Sequence, residues 1–299
     1  MNSEYGTVNQ SELPHLKRLH RGKVRDVYEI DQHSLLFVTC DRLSAFDVVL
    51  PSPIPGKGVL LNQISQFWFD LTEKIIPNHL LGTDPAPVIG DHPDKQALIA
   101  RSCVVKRLKG LPVEAIVRGY LAGSGWKDYQ QSGMICGHKL ATELNQAEKL
   151  PEPIFTPSTK AEVGEHDENI PISKMDELLG QELSQQVQQI SLQLYQFAST
   201  YALKRGIIIA DCKFEFGLDQ DGKLVLMDEL FTPDSSRFWP VDQYRTNISP
   251  PSFDKQFVRD YLETLDWDKT APGPALPEKI TRKTAYKYQE AYLRLSDQL

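Results

Sequence analysis

Apolar residues recur at helical spacing in two long stretches of the chain. Within 59–76, Leu60, Leu61, Ile64, Phe67, Trp68, Leu71 and Ile75 fall three and four apart, and Pro77 follows. This predicts an amphipathic helix that stops before the proline. Within 173–204, Leu179, Leu183, Val187, Ile190, Leu194, Phe197 and Tyr201 repeat the pattern, with Gly180 as a break near the start. A core helix and a coiled coil both satisfy that spacing. Shorter helices are predicted near 253–265 and 280–297, separated by Pro272, Pro274 and Pro277. Strands are expected at 24–30, 34–39, 97–106 and 113–117, with turns at Asp31-Gln32-His33 and Lys109-Gly110. The stretch 148–171 has several prolines and little periodicity, and reads as a long loop.

A third pattern has period two. After the β-branched run Gly206-Ile207-Ile208-Ile209-Ala210 comes Asp211-Cys212-Lys213-Phe214-Glu215-Phe216. Lys213 and Glu215 alternate with phenylalanines, so one face of an extended chain is charged and the other apolar. A turn signal at 217–222 and the returning run Leu224-Val225-Leu226-Met227 complete a hairpin that ends on Asp228 and Glu229. Lys213, Glu215 and Asp228 would then share a platform. Hard carboxylate oxygens suit Mg²⁺ and an ammonium suits phosphate. A cross-strand salt bridge on an exposed hairpin is the alternative.

Composition narrows the class. The chain has 299 residues, 40% hydrophobic and 9% aromatic, which is globular and long enough for two domains. A formal charge of −7 argues against a general nucleic-acid binder. Charge is unevenly spread, however: Lys17, Arg18, His20, Arg21, Lys23 and Arg25 make a basic cluster. Cys40, Cys103, Cys136 and Cys212 are widely spaced, without a CxxC pair, which fits neither a disulfide framework nor zinc and suits a reducing compartment. The polar first twenty residues lack a signal-peptide core, and no apolar run approaches the roughly 20 residues of a membrane span. A cytoplasmic location is the expectation.

Other segments carry candidate chemistry beside plainer readings. Gly22-Lys23-Val24-Arg25 precedes a strand and could bring backbone N–H groups to phosphate, or be an ordinary turn; it is not a Walker A loop. Asp41-Arg42-Leu43-Ser44-Ala45-Phe46-Asp47 is either a ligand loop at a strand end or a capped turn. Arg118 stands at the end of a strand before Gly123-Ser124-Gly125, where a phosphate could be held. The hydroxyls, Lys160 and acids of 155–169 make a charged loop, solvated or functional. Ser235, Ser236 and Arg237 follow the hairpin and could hold a carboxylate or phosphate. No histidine arrangement suits zinc, and no GxSxG elbow is present.

Taken in order, Gly22-Lys-Val-Arg-Asp, Asp41-Arg-Leu-Ser-Ala-Phe-Asp, Val117-Arg-Gly-Tyr-Leu-Ala-Gly-Ser-Gly, Thr156-Pro-Ser-Thr-Lys with Glu165-His-Asp-Glu-Asn, Asp211-Cys-Lys-Phe-Glu-Phe-Gly and Asp228-Glu-Leu-Phe-Thr-Pro-Asp-Ser-Ser-Arg resemble the SAICAR synthetase family over about residues 20–260. The length, the middle insert and the C-terminal helices resemble the longer, yeast-like form. The resemblance implies an α+β fold of two lobes, related to ATP-grasp. It comprises a β-rich nucleotide-binding lobe over 1–110 and a larger α+β lobe over 111–299 that binds substrate and ATP. It implies a ligase that joins L-aspartate to the carboxylate of CAIR with ATP and Mg²⁺, giving SAICAR, ADP and phosphate. Nucleic acid and membrane are not partners, and a monomer is favoured over a homodimer.

Carried over by motif, Gly22, Lys23, Val24 and Arg25 cover the ATP phosphates and Lys213 contacts the nucleotide. Glu215 and Asp228 are the expected Mg²⁺ ligands. Arg118, Ser124 and Arg237 hold CAIR, with Ser44 and Asp47 nearby and Asp211 close to the imidazole. Lys160 and the 165–169 segment are candidates for L-aspartate or for closing the site. Lys213, Asp211 and Arg237 form the expected catalytic set. Two other readings remain: a small-molecule kinase on a similar cleft, and a catalytically silent nucleotide-binding protein. Retention of Lys213, Glu215, Asp228 and Arg237 argues against the second.

Overall fold

The computed structural model describes residues 6–160, 168–253 and 255–297. Among them, four strands of the N-terminal part form one antiparallel sheet: β1 (Lys17–Arg21), β2 (Arg25–Glu29), β3 (Ser34–Thr39) and, after helix α1 (Lys57–Thr72), β4 (Ser102–Lys106). Their spatial order is β1-β2-β3-β4. The inner face buries Tyr28, Leu36, Val38 and Val104 against Leu13, Ile89 and Leu98. β1 is an exposed edge, and its Lys17, Arg18 and Arg21 discourage pairing with another chain.

The strand expected over 97–106 is two elements. Lys95–Ala100 is a short helix and only Ser102–Lys106 is extended. A brief apolar run does not by itself distinguish helix from strand. Here Leu98 is buried in the small-sheet core while Arg101 turns inward to meet Asp41 at 2.9 Å, and that ion pair breaks the run.

The larger sheet is built from β5 (Val113–Tyr120), β6 (Lys149–Phe155), β7 (Ile207–Leu218), β8 (Leu224–Met227) and β9 (Ser236–Pro240), with α2 (Gly123–Ser132) between β5 and β6 and α3 (Gln181–Leu203) before β7. β6 lies within the stretch read as a loop. Its Pro151 and Pro153 are tolerated because β6 is an edge strand with an irregular register against β5. β7 is the central strand: β5 pairs with residues 211–214 on one side. On the other side the partner changes from β9 to β8 between Cys212 and Glu215. The chain that loops out at this change, from Asp228 to Ser235, lies beside Lys213, whose amide donates to the Ser235 carbonyl at 2.8 Å.

The large core lies under β7. Val187, Leu194 and Tyr195 of α3 meet Ile207, Ile209, Phe214 and Phe216, so the long periodic segment is a core helix. Gly180, with φ +82°, separates it from the preceding helix Ile172–Leu179. Gly119 is required: a Cβ there would stand 1.9 Å from the Tyr195 hydroxyl, which donates to the Ile209 carbonyl at 2.7 Å. α1 also buries Ile64, Trp68 and Phe69 in this core. The segment after α1 links the two sheets. Pro77 accepts from Leu226, His79 donates to Leu226 and accepts from Lys106, and Leu81 donates to Val104, at 2.8–3.0 Å.

The last helix, α4 (Glu278–Leu295), supplies Tyr288, whose hydroxyl donates to Asp234 at 2.6 Å. The other Asp234 oxygen accepts from the buried Lys57 at 2.7 Å. Burial alone would raise the Asp234 pKa, but Lys255 and Lys57 hold it well below the usual carboxylate range. A depressed folded-state pKa gives stability that is present above the unfolded value of about 3.9 and is lost as pH falls from there toward the folded value. Asp234→Asn is therefore expected to cost about 3–5 kcal/mol near neutrality, because Lys57 keeps a buried, poorly compensated charge. Urea unfolding across a pH series should show the deficit shrinking below pH ~4.

Candidate active site

Lys213 and Glu215 project from the same face of β7, and Phe214 and Phe216 are buried on the other. Glu215 pairs in register with Met227 at the end of β8, and the next residue, Asp228, takes φ +69°. That left-handed turn carries the acid off the strand. Lys213 is ion-paired with Glu114 of β5 and lies 3.6 Å from Glu215. Lys160 reaches the other Glu215 oxygen at 2.5 Å. From the small sheet, Arg25 at the start of β2 meets Asp228 at 2.5 Å and Glu229 at 3.1 Å. Charges from both sheets thus meet in one cluster.

The balance within the cluster is uneven. Burial would lower the Lys213 pKa, but Glu215 and Glu114 hold it well above the usual lysine value. Burial would raise Glu215, but Lys213 and Lys160 hold it below the usual value. Asp228 is pushed up to about 6 by burial, with Glu215 and Glu229 adding repulsion and Arg25 opposing. Beneath lies His79, edge-on to Phe37 and tilted against Phe69. Burial, helped by Arg25 and Lys106, pushes its pKa down to about 3, so it is neutral and no proton donor near pH 7. Among the described residues no group of three or more His, Cys, Asp or Glu side chains forms a metal site.

A second cluster lies farther along the same face of β7. Arg118 at the end of β5 is buried, and its guanidinium donates to Thr156 and Ser124 at 3.0 Å, to Asn169 at 3.4 Å and to Asp211 at 3.5 Å. Arg237 of β9 is also paired with Asp211. Gly123 opens α2 at φ +58°, and a Cβ there would lie 2.3 Å from the Arg237 guanidinium. Beside Arg237 opens a cleft of about 280 Å³, lined among others by Trp126, Lys127, Gln146 and Trp239.

The remaining expected residues form the rim. Gly22 closes a turn by donating to the Arg25 carbonyl at 2.7 Å, and the Val24 carbonyl accepts from Cys40 at 2.8 Å. Lys23 is paired with Asp47 at 2.6 Å, both about half exposed. Ser44 is buried in a two-residue strand. Phe46 and Asp47 have positive φ, which turns the segment back on itself. The structure therefore brings Lys213, Glu215, Asp228, Arg25 and Lys160 together, and separately Arg118, Ser124, Asp211 and Arg237. Of the 165–169 segment, residues 165–167 lie outside the described residues. Asn169 contacts Asp128 at 2.7 Å as well as Arg118.

Sequence reasoning assigned no role to Glu114, Thr156 or Arg42. Glu114 had a usable signal, a lone acid in the otherwise apolar start of β5. Arg42 stood inside the Asp41–Asp47 motif, but its partners, the Gly22 and Lys23 carbonyls at 3.0 and 3.3 Å, are set by tertiary folding.

A platform of mixed charge and a second cluster built on two arginines thus lie along one face of β7. The SAICAR synthetase family profile matches residues 18–274. The phosphoribosylaminoimidazole-succinocarboxamide synthase of Thioalkalivibrio sulfidiphilus is 61% identical over 287 residues, covering 96% of this chain and 97% of that one. Its counterpart from Methylobacillus flagellatus is 58% identical over 286 residues, with 96% of each covered. Among solved structures, the Saccharomyces cerevisiae SAICAR synthase complexed with SAICAR superposes with a TM-score of 0.90 at 42% identity, over 97% of this chain and 98% of that one. A SAICAR synthetase in complex with ADP superposes with a TM-score of 0.69 at 27% identity, over 93% of this chain and 97% of that one. The chain belongs to the SAICAR synthetase family.

Gly123→Ala tests the packing of the second cluster. The new methyl group must displace Arg237 and is strained at positive φ, a stability cost of about 1–2 kcal/mol. Steady-state kinetics should show kcat/KM for CAIR reduced by about tenfold or more while thermal unfolding remains cooperative.

Proposed function

We propose that the two clusters divide the ligase reaction between them. The reaction joins L-aspartate to the carboxylate of CAIR with ATP, giving SAICAR, ADP and phosphate in de novo purine (IMP) biosynthesis. A free carboxylate is a poor acyl donor, because its leaving group would be oxide. Transfer of the γ-phosphoryl group to it gives an acyl phosphate. The aspartate amine then forms the C–N bond as phosphate leaves. Such transfer depends chiefly on positioning and charge neutralisation.

The observation that carries this reading is the cluster joining Arg25 of the small sheet to Asp228, with Lys213 and Glu215 beside them. In it, Gly22, Lys23, Val24 and Arg25 cover the ATP phosphates and Lys213 contacts the nucleotide, its charge secured by Glu114. The donor set fits Mg²⁺: Asp228 is crowded by neighbouring carboxylates, and an added cation would relieve that repulsion. Glu215 and Asp228 would hold the ion, which when bound neutralises phosphate charge and serves as a Lewis acid. Arg118, Ser124 and Arg237 orient CAIR through its anionic groups. Ser44 and Asp47 stand nearby, and Asp211 both fixes the two arginines and faces the imidazole. Lys160, lying on Glu215, is placed to receive the carboxylates of L-aspartate at the edge of the metal position. Among the described residues no helix is long and apolar enough to cross a membrane, and no cysteine is in a disulfide. A monomer acting in the cytoplasm belongs to the same proposal.

ADP release is expected only when CAIR, L-aspartate and Mg²⁺ are all present. A coupled assay with each omitted in turn checks this, and ADP formation without aspartate would point to a kinase. Glu215→Ala should nearly abolish turnover while circular dichroism stays native, since the residue sits on the polar face of β7. Wild-type-like activity in that variant would remove it from the metal site.

A further inference from the structure

α1 begins with a lysine whose side chain is wholly buried. Gly58 beside it packs so closely that a Cβ would lie 2.1 Å from the Thr39 carbonyl oxygen, which presses the first turn of the helix onto β3. Lys57 Nζ donates in two directions, 2.9 Å to the Arg42 carbonyl and 2.7 Å to Asp234 Oδ2. A cation at a helix N-terminus opposes the helix dipole, and a buried one forfeits its hydration. For stability alone, an apolar side chain of similar shape would serve as well or better.

What the ammonium does is join two segments that the proposed function places around the substrates. On one side is Arg42, whose guanidinium holds the Gly22 carbonyl at 3.0 Å and the Lys23 carbonyl at 3.3 Å, and which lies in the same turn as Ser44 and Asp47. On the other is Asp234, whose amide donates to Thr232 at 3.1 Å and which leads directly into Arg237. The Ser235 carbonyl between them receives the Lys213 amide at 2.8 Å. Tyr288 and Lys255 hold the second Asp234 oxygen at 2.6 and 3.5 Å, so the carboxylate is fixed from behind.

We propose that Lys57 is a positioning residue of the ligase reaction, one that ties the phosphate-covering loop and the 41–47 segment to the 232–237 turn in fixed register. The inference rests on reading those segments as ATP- and CAIR-binding. Lys57 touches neither substrate; it sets the distance between the groups that do.

The test compares Lys57→Met/Asp234→Asn, Tyr288→Phe and Arg237→Ala with the wild type, by steady-state kinetics with CAIR and ATP varied separately and by urea unfolding. The double variant removes both members of the buried Lys57–Asp234 pair together, so that of the cations around Asp234 only the outer one, Lys255 at 3.5 Å, loses its carboxylate. Its unfolding free energy should stay near that of the wild type, while KM rises about tenfold or more for both CAIR and ATP. A smaller folded fraction alone lowers apparent kcat and leaves KM unchanged, so the two explanations separate. Tyr288→Phe keeps the ring packing and removes one donor to Asp234, and should raise KM for CAIR several-fold. Wild-type KM values in the folded double variant, or in Tyr288→Phe should the double variant fail to fold, would overturn the proposal. An unchanged KM for CAIR in Arg237→Ala would instead remove the site assignment on which it rests.

Discussion

The site depends on a two-residue alternation in one strand. Asp211, Lys213 and Glu215 share a face of β7 because Cys212, Phe214 and Phe216 fill the core on the other. The phenylalanines make the strand rigid, and rigidity fixes the spacing of the charges. Every other polar group at the site is placed relative to this row. Glu114 and Arg118 arrive from β5, Arg237 from β9 and Asp228 from the end of β8, because each of those strands is hydrogen-bonded to β7. Shifting the register of β7 by one residue would bury the charges and expose the aromatics, so fold and site are specified by the same pattern.

Charge is handled in the same economical way. The protein is acidic overall, yet its reactants are anions. Arg25, Lys213, Arg118 and Arg237 are buried or half-buried, and each is matched by an acid: Arg25 with Asp228 and Glu229, Lys213 with Glu114, Arg118 and Arg237 with Asp211. A buried charge is tolerated only when it is paired. On the proposed function, an incoming phosphate or carboxylate would exchange one anionic partner for another. The crowding of carboxylates around Asp228 is the complementary case, which a bound cation would relieve.

Periodicity carried most of the architecture. Val187 and Leu194 marked α3, Trp68 marked α1, and the Phe214–Phe216 alternation marked β7, because each element has one face that must be apolar. Prolines concealed β6, since a proline penalises a central strand and not an edge. The Lys95–Ala100 helix was concealed because its four apolar residues, 97–100, fit either period. The site divided in the same manner. Residues in dense motifs, such as Lys213, Glu215 and Arg237, stood out, and they fall into two clusters as the geometry shows. Lys57 did not, because its partner Asp234 lies 177 residues away in sequence and only tertiary folding brings them together. A motif displays residues that meet a ligand; it does not display those that hold the motifs to each other.

The segment from Pro77 to Leu81 has a consequence for how the molecule comes apart. It bonds to Leu226 of β8 on one side and to Val104 and Lys106 of β4 on the other, so the small sheet and the large one are laced along a shared backbone ladder. α1 reinforces the lacing by burying Trp68 in the large core. Neither sheet can melt without breaking bonds that belong to the other. The N-terminal sheet is thus expected to unfold together with the large one, with the amides of Leu226 and Lys106 among the slowly exchanging ones.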